Sequence, residues 1–176
     1  PGWYEQTTSY YVSDVLRGFR SPGGPFGDFF ANYRGNTQQI DSRHTFHILD
    51  LDWIGNDITV GGLYQTEVGS STDNLGDVFP STSLDDGAVY GQEQLRIGNR
   101  WFSTVGYRSD HYNLYGANDT YRATTLYRVP GTETALRGSI GTGFRAPSLS
   151  ERFDPFAGNA ALRPEYSKGW DVGIEQ

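Results

Sequence analysis

The chain has 176 residues, 20% of them charged, a formal net charge of −7, no cysteine and no methionine. That balance speaks against a nucleic-acid partner, because no basic stripe exists to neutralise phosphates. The missing cysteines argue against a disulfide scaffold or a thiolate metal site. A mean hydropathy of −0.58 leaves no run near the roughly 20 apolar residues of a membrane-spanning helix.

Yet 23 Gly, 12 Tyr, 10 Phe and 4 Trp are many for a soluble domain of this length. A transmembrane β-barrel reconciles the two facts, since only every second residue of its strands faces lipid. The chain opens at Pro1-Gly2-Trp3 and closes at Ile174-Glu175-Gln176, inside strand-like sequence, and is expected to be an excerpt.

Alternation of side chains is the test for strands. Residues 3–17 alternate poorly. Residues 43–54 place Leu49, Leu51 and Trp53 on one face and Asp50 and Asp52 on the other. In 58–69, Ile58, Val60, Tyr64 and Val68 oppose Gln65 and Glu67. The stretch 88–98 puts Glu93 on the face of Val89, Leu95 and Ile97, and a lipid-facing carboxylate is costly. Residues 101–112 set Trp101, Val105 and Tyr107 against Thr104, Arg108 and Asp110. In 119–129, Tyr121, Ala123, Thr125, Tyr127 and Val129 share one face, and Leu126 interrupts the polar one. Residues 134–144 give Leu136, Ile140 and Phe144 opposite Arg137, Ser139 and the glycines. Trp170, Val172 and Ile174 mark a last strand over 168–174.

Short turns are predicted at 55–57, 98–100 and 130–133, and long links at 18–40, 70–87, 112–119 and 145–166. Tight turns on one side and long loops on the other are the habit of outer-membrane barrels. The expected fold is all-β, an antiparallel meander of about eight strands. Trp53, Trp101, Tyr112 and Phe144 stand at strand ends, where interfacial girdles lie. Alternation alone also suits a soluble sandwich or a lipocalin-like barrel.

Chemistry-bearing clusters are sparse. His44 and His47 fall on opposite faces of one strand and do not form a chelate, so no metal site is expected. His111 reads as a solvated strand-end histidine. Gly141, Gly143 and Ala146 mimic a dinucleotide fingerprint, but Pro147 follows where a helix must begin. The carboxylate pairs Asp85/Asp86, Asp50/Asp52 and Glu151/Asp154 read as solvated charge. No serine sits in a nucleophile elbow, and neither an enzymatic activity nor a cofactor is expected. Ser148 and Glu151 have capping-box spacing for one helical turn.

The most prescribed stretch is Gly141-Thr142-Gly143-Phe144-Arg145-Ala146-Pro147-Ser148-Leu149, followed by Gly158-Asn159, Leu162, Pro164 and Glu165. A second lies at Gly106-Tyr107-Arg108-Ser109-Asp110-His111, with Tyr115-Gly116 and Thr120-Tyr121-Arg122. These resemble the late barrel segment of TonB-dependent outer-membrane receptors, such as cobalamin and ferric-siderophore importers. The resemblance covers about residues 87–176 closely and is diffuse before about residue 32.

It implies that residues 1–176 are a single partial segment of a plugged barrel of about 22 strands, with the plug and other strands outside it. It further implies location in the bacterial outer membrane, contact with its lipid, import of a metal-chelate ligand, and TonB as energising partner through the plug. Gly141, Gly143, Phe144, Arg145, Ala146, Pro147, Asn159, Leu162, Pro164 and Glu165 are then architectural. Ligand contact is expected at Tyr112, Tyr115, Arg145, Arg152, Phe153 and Phe156, because aromatic faces and arginines suit a bulky chelate. An independent eight-stranded barrel, or a soluble β-rich enzyme or carbohydrate-binding domain, are the competing readings.

Overall fold

In the computed structural model, which describes residues 2–25, 27–76, 78–155 and 158–176, eight strands form one antiparallel sheet in sequence order. They are β1 (Tyr4–Gly24), β2 (Gly27–Leu51), β3 (Ile54–Asp73), β4 (Val78–Ile97), β5 (Trp101–Tyr112), β6 (Gly116–Arg128), β7 (Ala135–Arg145) and β8 (Glu165–Glu175). A short helix, α1 (Leu149–Phe153), lies between the last two. This is the expected meander. Among the described residues β1 and β8 are the sheet's edges and do not pair, so the wall is open.

Residues directly opposite in an antiparallel pair share a face. The register therefore joins Trp101, Val105 and Tyr107 to Tyr127, Ala123 and Tyr121, and onward to Leu136, Ile140, Trp170, Val172 and Ile174. Trp170 and Val172 are 75% and 76% exposed. These residues spread over one open surface instead of gathering in a dry interior. Large apolar side chains in that number are stable only against hydrocarbon. The register carries the same face across β4, β3 and β2 to β1. On β1 it runs through Tyr4, Tyr10 and Val12.

Turn chemistry fixes the short-turn end of the sheet. The β2–β3 turn is Asp52-Trp53, not 55–57 as the sequence suggested, and Gly55, Asn56 and Asp57 belong to β3. Arg96 decides this, donating to the Asp52 and Leu51 carbonyls at 3.2 and 3.1 Å and so capping the turn. Gly98, at φ 54°, makes the β4–β5 turn, and its N–H donates to the Trp53 carbonyl at 2.6 Å.

The larger departure is strand length. The stretches 18–40 and 70–87 are not links. They continue β1, β2, β3 and β4, which reach 20–25 residues. At about 3.3 Å per residue such strands span roughly 65–80 Å, far more than a membrane crossing needs. Their upper halves rise beyond the outward apolar band, so no amphipathic alternation is required there. Asn36 and Gln38 lie on the face that carries Ile40 lower down. The link 112–119 likewise shrinks to a turn over 113–115.

A register shift between His47 and Leu49 explains why 43–54 does not alternate as one unit. Below it Leu49 and Leu51 face outward with Asn56 and Ile54; above it Phe46 and His44 do. His44 and His47 do fall on opposite faces: His44 bonds Tyr4 and Ser42, and His47 bonds Asp57. Leu126 interrupts the polar face because it pairs with Phe102 there.

Candidate functional site

The fold's buried apolar cluster lies on the inner face, above the membrane band. Phe79, Leu84 and Leu149 form it, with Tyr33, Tyr112, Leu114, Tyr115 and Phe153 packed around them. Leu149 belongs to the β7–β8 loop, so that loop folds across the sheet and lies on β4. Phe79 and Leu149 are each 1% exposed. Gly69 makes the room, since a Cβ there would stand 3.2 Å from Leu149 Cδ1.

Local chemistry explains how so short a helix forms. Ser148 caps α1, accepting from the Glu151 N–H at 3.3 Å while its own N–H donates to Glu151 Oε2 at 2.8 Å. Glu151 Oε1 also receives Arg145 Nη2 at 3.0 Å, and that guanidinium reaches Glu165 Oε1 at 3.2 Å. One arginine thus ties the end of β7, the loop helix and the start of β8. The Arg145 guanidinium beside it and the Ser148 N–H hold the Glu151 carboxyl down, to about 2, and Arg145 is itself raised.

Beyond α1 the return path is hydrogen-bonded to it. The Asn159 N–H donates to the Glu151 carbonyl at 2.8 Å, Leu162 N–H to the Asn159 carbonyl at 3.0 Å, and Arg152 Nη2 to the Ala160 carbonyl at 3.0 Å. Pro147 is buried and its carbonyl accepts from the Tyr115 hydroxyl at 2.8 Å.

Gly141 admits the Tyr121 carbonyl, and Gly143 admits Ser167 Oγ, both on neighbouring strands. Pairing of β6 with β7 stops at Arg122 and Gly141, and the Tyr121 N–H donates to Thr142 Oγ1 instead. The Phe144 ring lies 5.4 Å from both Tyr112 and Tyr166, where the two strands part.

Between the loop and the tall strands β1–β3 lies a cleft of about 660 Å³, lined among others by Arg17, Phe19, Tyr33, Glu67, Ser150 and Asp154. Arg17 stands opposite Tyr33 in the register. Burial pushes the Glu67 carboxyl up. Burial, followed by the Glu67 charge, raises the Tyr33 phenol.

Beside the cleft, at the top of the band, Asp86 is 6% exposed. It is therefore not the solvated loop carboxylate expected of 85–86; it faces inward, while Asp85 faces out to Thr66 and Asn113. Arg108 Nη2 lies 3.5 Å from Asp86 and 2.6 Å from Asp110.

The residues expected to touch ligand are brought together, but several are engaged within the chain. Tyr112 faces inward, not into an interfacial girdle. Arg152 lies 5.3 Å over both Tyr115 and Phe153, and Phe153 stacks on Phe79 at 5.7 Å. Phe156 lies outside the described residues. Sequence reasoning missed Phe79, Leu84, Tyr33 and Glu67 as parts of this site. Their strands carry no hydrophobic period above the apolar band.

A family model described as "TonB dependent receptor-like, beta-barrel" matches residues 1–176. Curated relatives include two proteins named "Vitamin B12 transporter BtuB". That of Photobacterium profundum is 32% identical over 104 residues, covering 59% of this chain and 17% of the relative. That of Vibrio vulnificus is 37% identical over 122 residues, covering 55% and 20%. The chain thus spans about a fifth of their length.

Among solved structures, the unliganded "ferric citrate transporter FecA" superposes with a TM-score of 0.71 at 14% identity, over 98% of this chain and 29% of that one. The "siderophore receptor PirA from Acinetobacter baumannii" gives 0.69 at 16%, over 97% and 29%. At such identities the structures speak for the fold alone. An open, outward-apolar meander, a family match along the whole chain and these relatives converge: the chain belongs to the TonB-dependent receptor family, as part of its outer-membrane β-barrel.

Proposed function

We infer that the receptor containing this segment imports a metal chelate, cobalamin or a ferric siderophore, with energy delivered by TonB through a plug domain. No chemistry is done on the ligand. The observation that carries this reading is the cleft of about 660 Å³ on the inner face above the membrane band, walled by β1–β3 and roofed by the β7–β8 loop. A concave site with a cation, two aromatic rings and a half-buried carboxylate suits a bulky ligand of mixed polarity. The relatives named for vitamin B12 and for siderophores support the ligand class.

Tyr112, Tyr115, Arg145, Arg152, Phe153 and Phe156 remain the proposed loop contacts. The architectural set from Gly141 to Glu165 holds the loop in place. Arg17, Phe19 and Tyr33 join the contacts, because Arg17 has no partner among the described hydrogen bonds and ion pairs while Arg145 is doubly paired.

The test is uptake of radiolabelled cobalamin and a panel of ferric siderophores by cells carrying the full-length receptor, with and without TonB. One ligand should accumulate only when TonB is present. Arg17→Ala should weaken its binding about tenfold, the worth of one charged contact, at unchanged receptor abundance. Uptake independent of TonB, or of none of the panel, would refute the reading.

A further inference from the structure

The cleft above the apolar band holds charges of both signs that the chain itself leaves unanswered. In the register Arg17 stands opposite Tyr33, Tyr33 opposite Ser71, and Glu67 opposite Thr37. Arg17 and Glu67 therefore occupy opposite corners of one face, two strands across and four residues along, roughly 16 Å apart at Cα. Tyr33 lies between them. Its ring turns back over Gly35, where a Cβ would stand 3.3 Å from the phenol oxygen. Its hydroxyl reaches Gly69, two residues along β3 from Glu67, where a Cβ would stand 3.4 Å away. Arg17 and Glu67 both line the cleft, and Asp154 at the end of α1 adds a second carboxylate.

Glu67 is set in a costly place. Its neighbour on β4 is Leu84, 7% exposed and part of the apolar cluster with Phe79 and Leu149. There the half-buried carboxylate makes no hydrogen bond or ion pair with the described residues, and neither does the Arg17 guanidinium. A carboxylate drawn partly out of water without a donor is a free-energy loss that nothing in the fold offsets. Other acids of the chain are treated differently. Glu151 and Glu165 share Arg145, and Asp110 holds Arg108. Arg17 stands too far off to neutralise Glu67, so the two address different parts of whatever fills the cleft.

We propose that the cleft selects its ligand by charge: it takes a chelate without net negative charge whose rim carries N–H or O–H donors, and Glu67 is the residue that rejects polyanions. Donors at one end of the ligand meet Glu67, a carbonyl at the other meets Arg17, and the ligand body lies on the Tyr33 ring. A polyanionic chelate gains Arg17 but faces Glu67 and Asp154, one cation against two carboxylates among the described lining residues. Repulsion of that kind discriminates more sharply than a lost contact, because the cleft wall holds bulk water away. The inference rests on the import reading above and narrows its ligand class.

The test measures binding to, and TonB-dependent uptake by, cells carrying the full-length receptor. The probes are cyanocobalamin and a neutral ferric trihydroxamate, set against ferric citrate and a ferric tris-catecholate. A neutral probe should bind at least about tenfold more tightly than either polyanion. Glu67→Gln keeps the shape and removes the charge, and it should narrow that ratio about tenfold by admitting the polyanions. Arg17→Gln should widen it. Because Glu67 has no partner in the fold, the thermal transition of Glu67→Gln should not fall. A lower transition would mark the carboxylate as structural and overturn its role. Uptake of a polyanion in preference to both neutral probes, or an unchanged ratio in Glu67→Gln, would overturn charge selection while leaving import intact. Uptake of no probe would remove the import reading, and this inference with it.

Discussion

At the residue scale, single atoms set what this wall tolerates. Tyr90 lies flat across β3 at Gly61, and its hydroxyl donates to Asp41 Oδ1 at 2.7 Å on the strand beyond. A Cβ on Gly61 would overlap that ring. Gly61→Val should therefore expel Tyr90 and cost about 1.5–3 kcal/mol, the range for a hydrogen bond to a charged acceptor. Thermal unfolding of the purified receptor measures it, with Tyr90→Phe giving the part owed to the bond alone. An unchanged transition in Gly61→Val would show that the ring is free to leave.

Glu151 yields a pH prediction. Its carboxyl is held at about 2 in the folded loop, against about 4.3 for an ordinary glutamate. A depressed carboxyl contributes stability that is full above the ordinary value and is lost as pH falls through the folded one. Protection of the 145–165 loop against amide exchange should hold near pH 5 and decline between about 4.3 and 2. In Glu151→Gln the loop should exchange faster at neutral pH, and that decline should disappear. A wild-type decline centred above pH 5 would contradict the assignment.

At the scale of elements, α1 is only five residues long and is not stable on its own. Its capping box sets the turn, but burial of Leu149 among Phe79, Leu84 and Tyr33 docks it. Leu149→Ala should remove roughly 2–4 kcal/mol from the local opening free energy. The readout is faster proteolysis and amide exchange confined to the loop, with the barrel strands unaffected. The cap itself was legible from Ser148 and Glu151. Its docking partner was not, because Phe79 and Leu84 sit in a stretch whose pattern read as a link.

At the scale of the whole molecule, the outward tryptophans test the orientation of the wall. Trp170, alone retained in an otherwise tryptophan-free receptor, should be quenched strongly by lipids brominated along the acyl chain. Emission insensitive to bromine would mean that this face does not meet hydrocarbon. The inner face should behave oppositely, since a tryptophan in place of Ser139 would be shielded from the same lipids.

The sequence alone determined the strand pattern inside the membrane, the meander order and the family resemblance. Within hydrocarbon every second residue must be apolar, and that constraint writes itself into the chain as a period of two. It marked Val105, Tyr121, Ile140 and Trp170 without ambiguity. Only the tertiary structure decided how far β1–β4 rise beyond the apolar band, where no period is imposed. It also decided which arginines are already paired and where the β7–β8 loop lies. Those are contacts between residues distant in the chain, such as Leu149 with Phe79, and no local pattern encodes them.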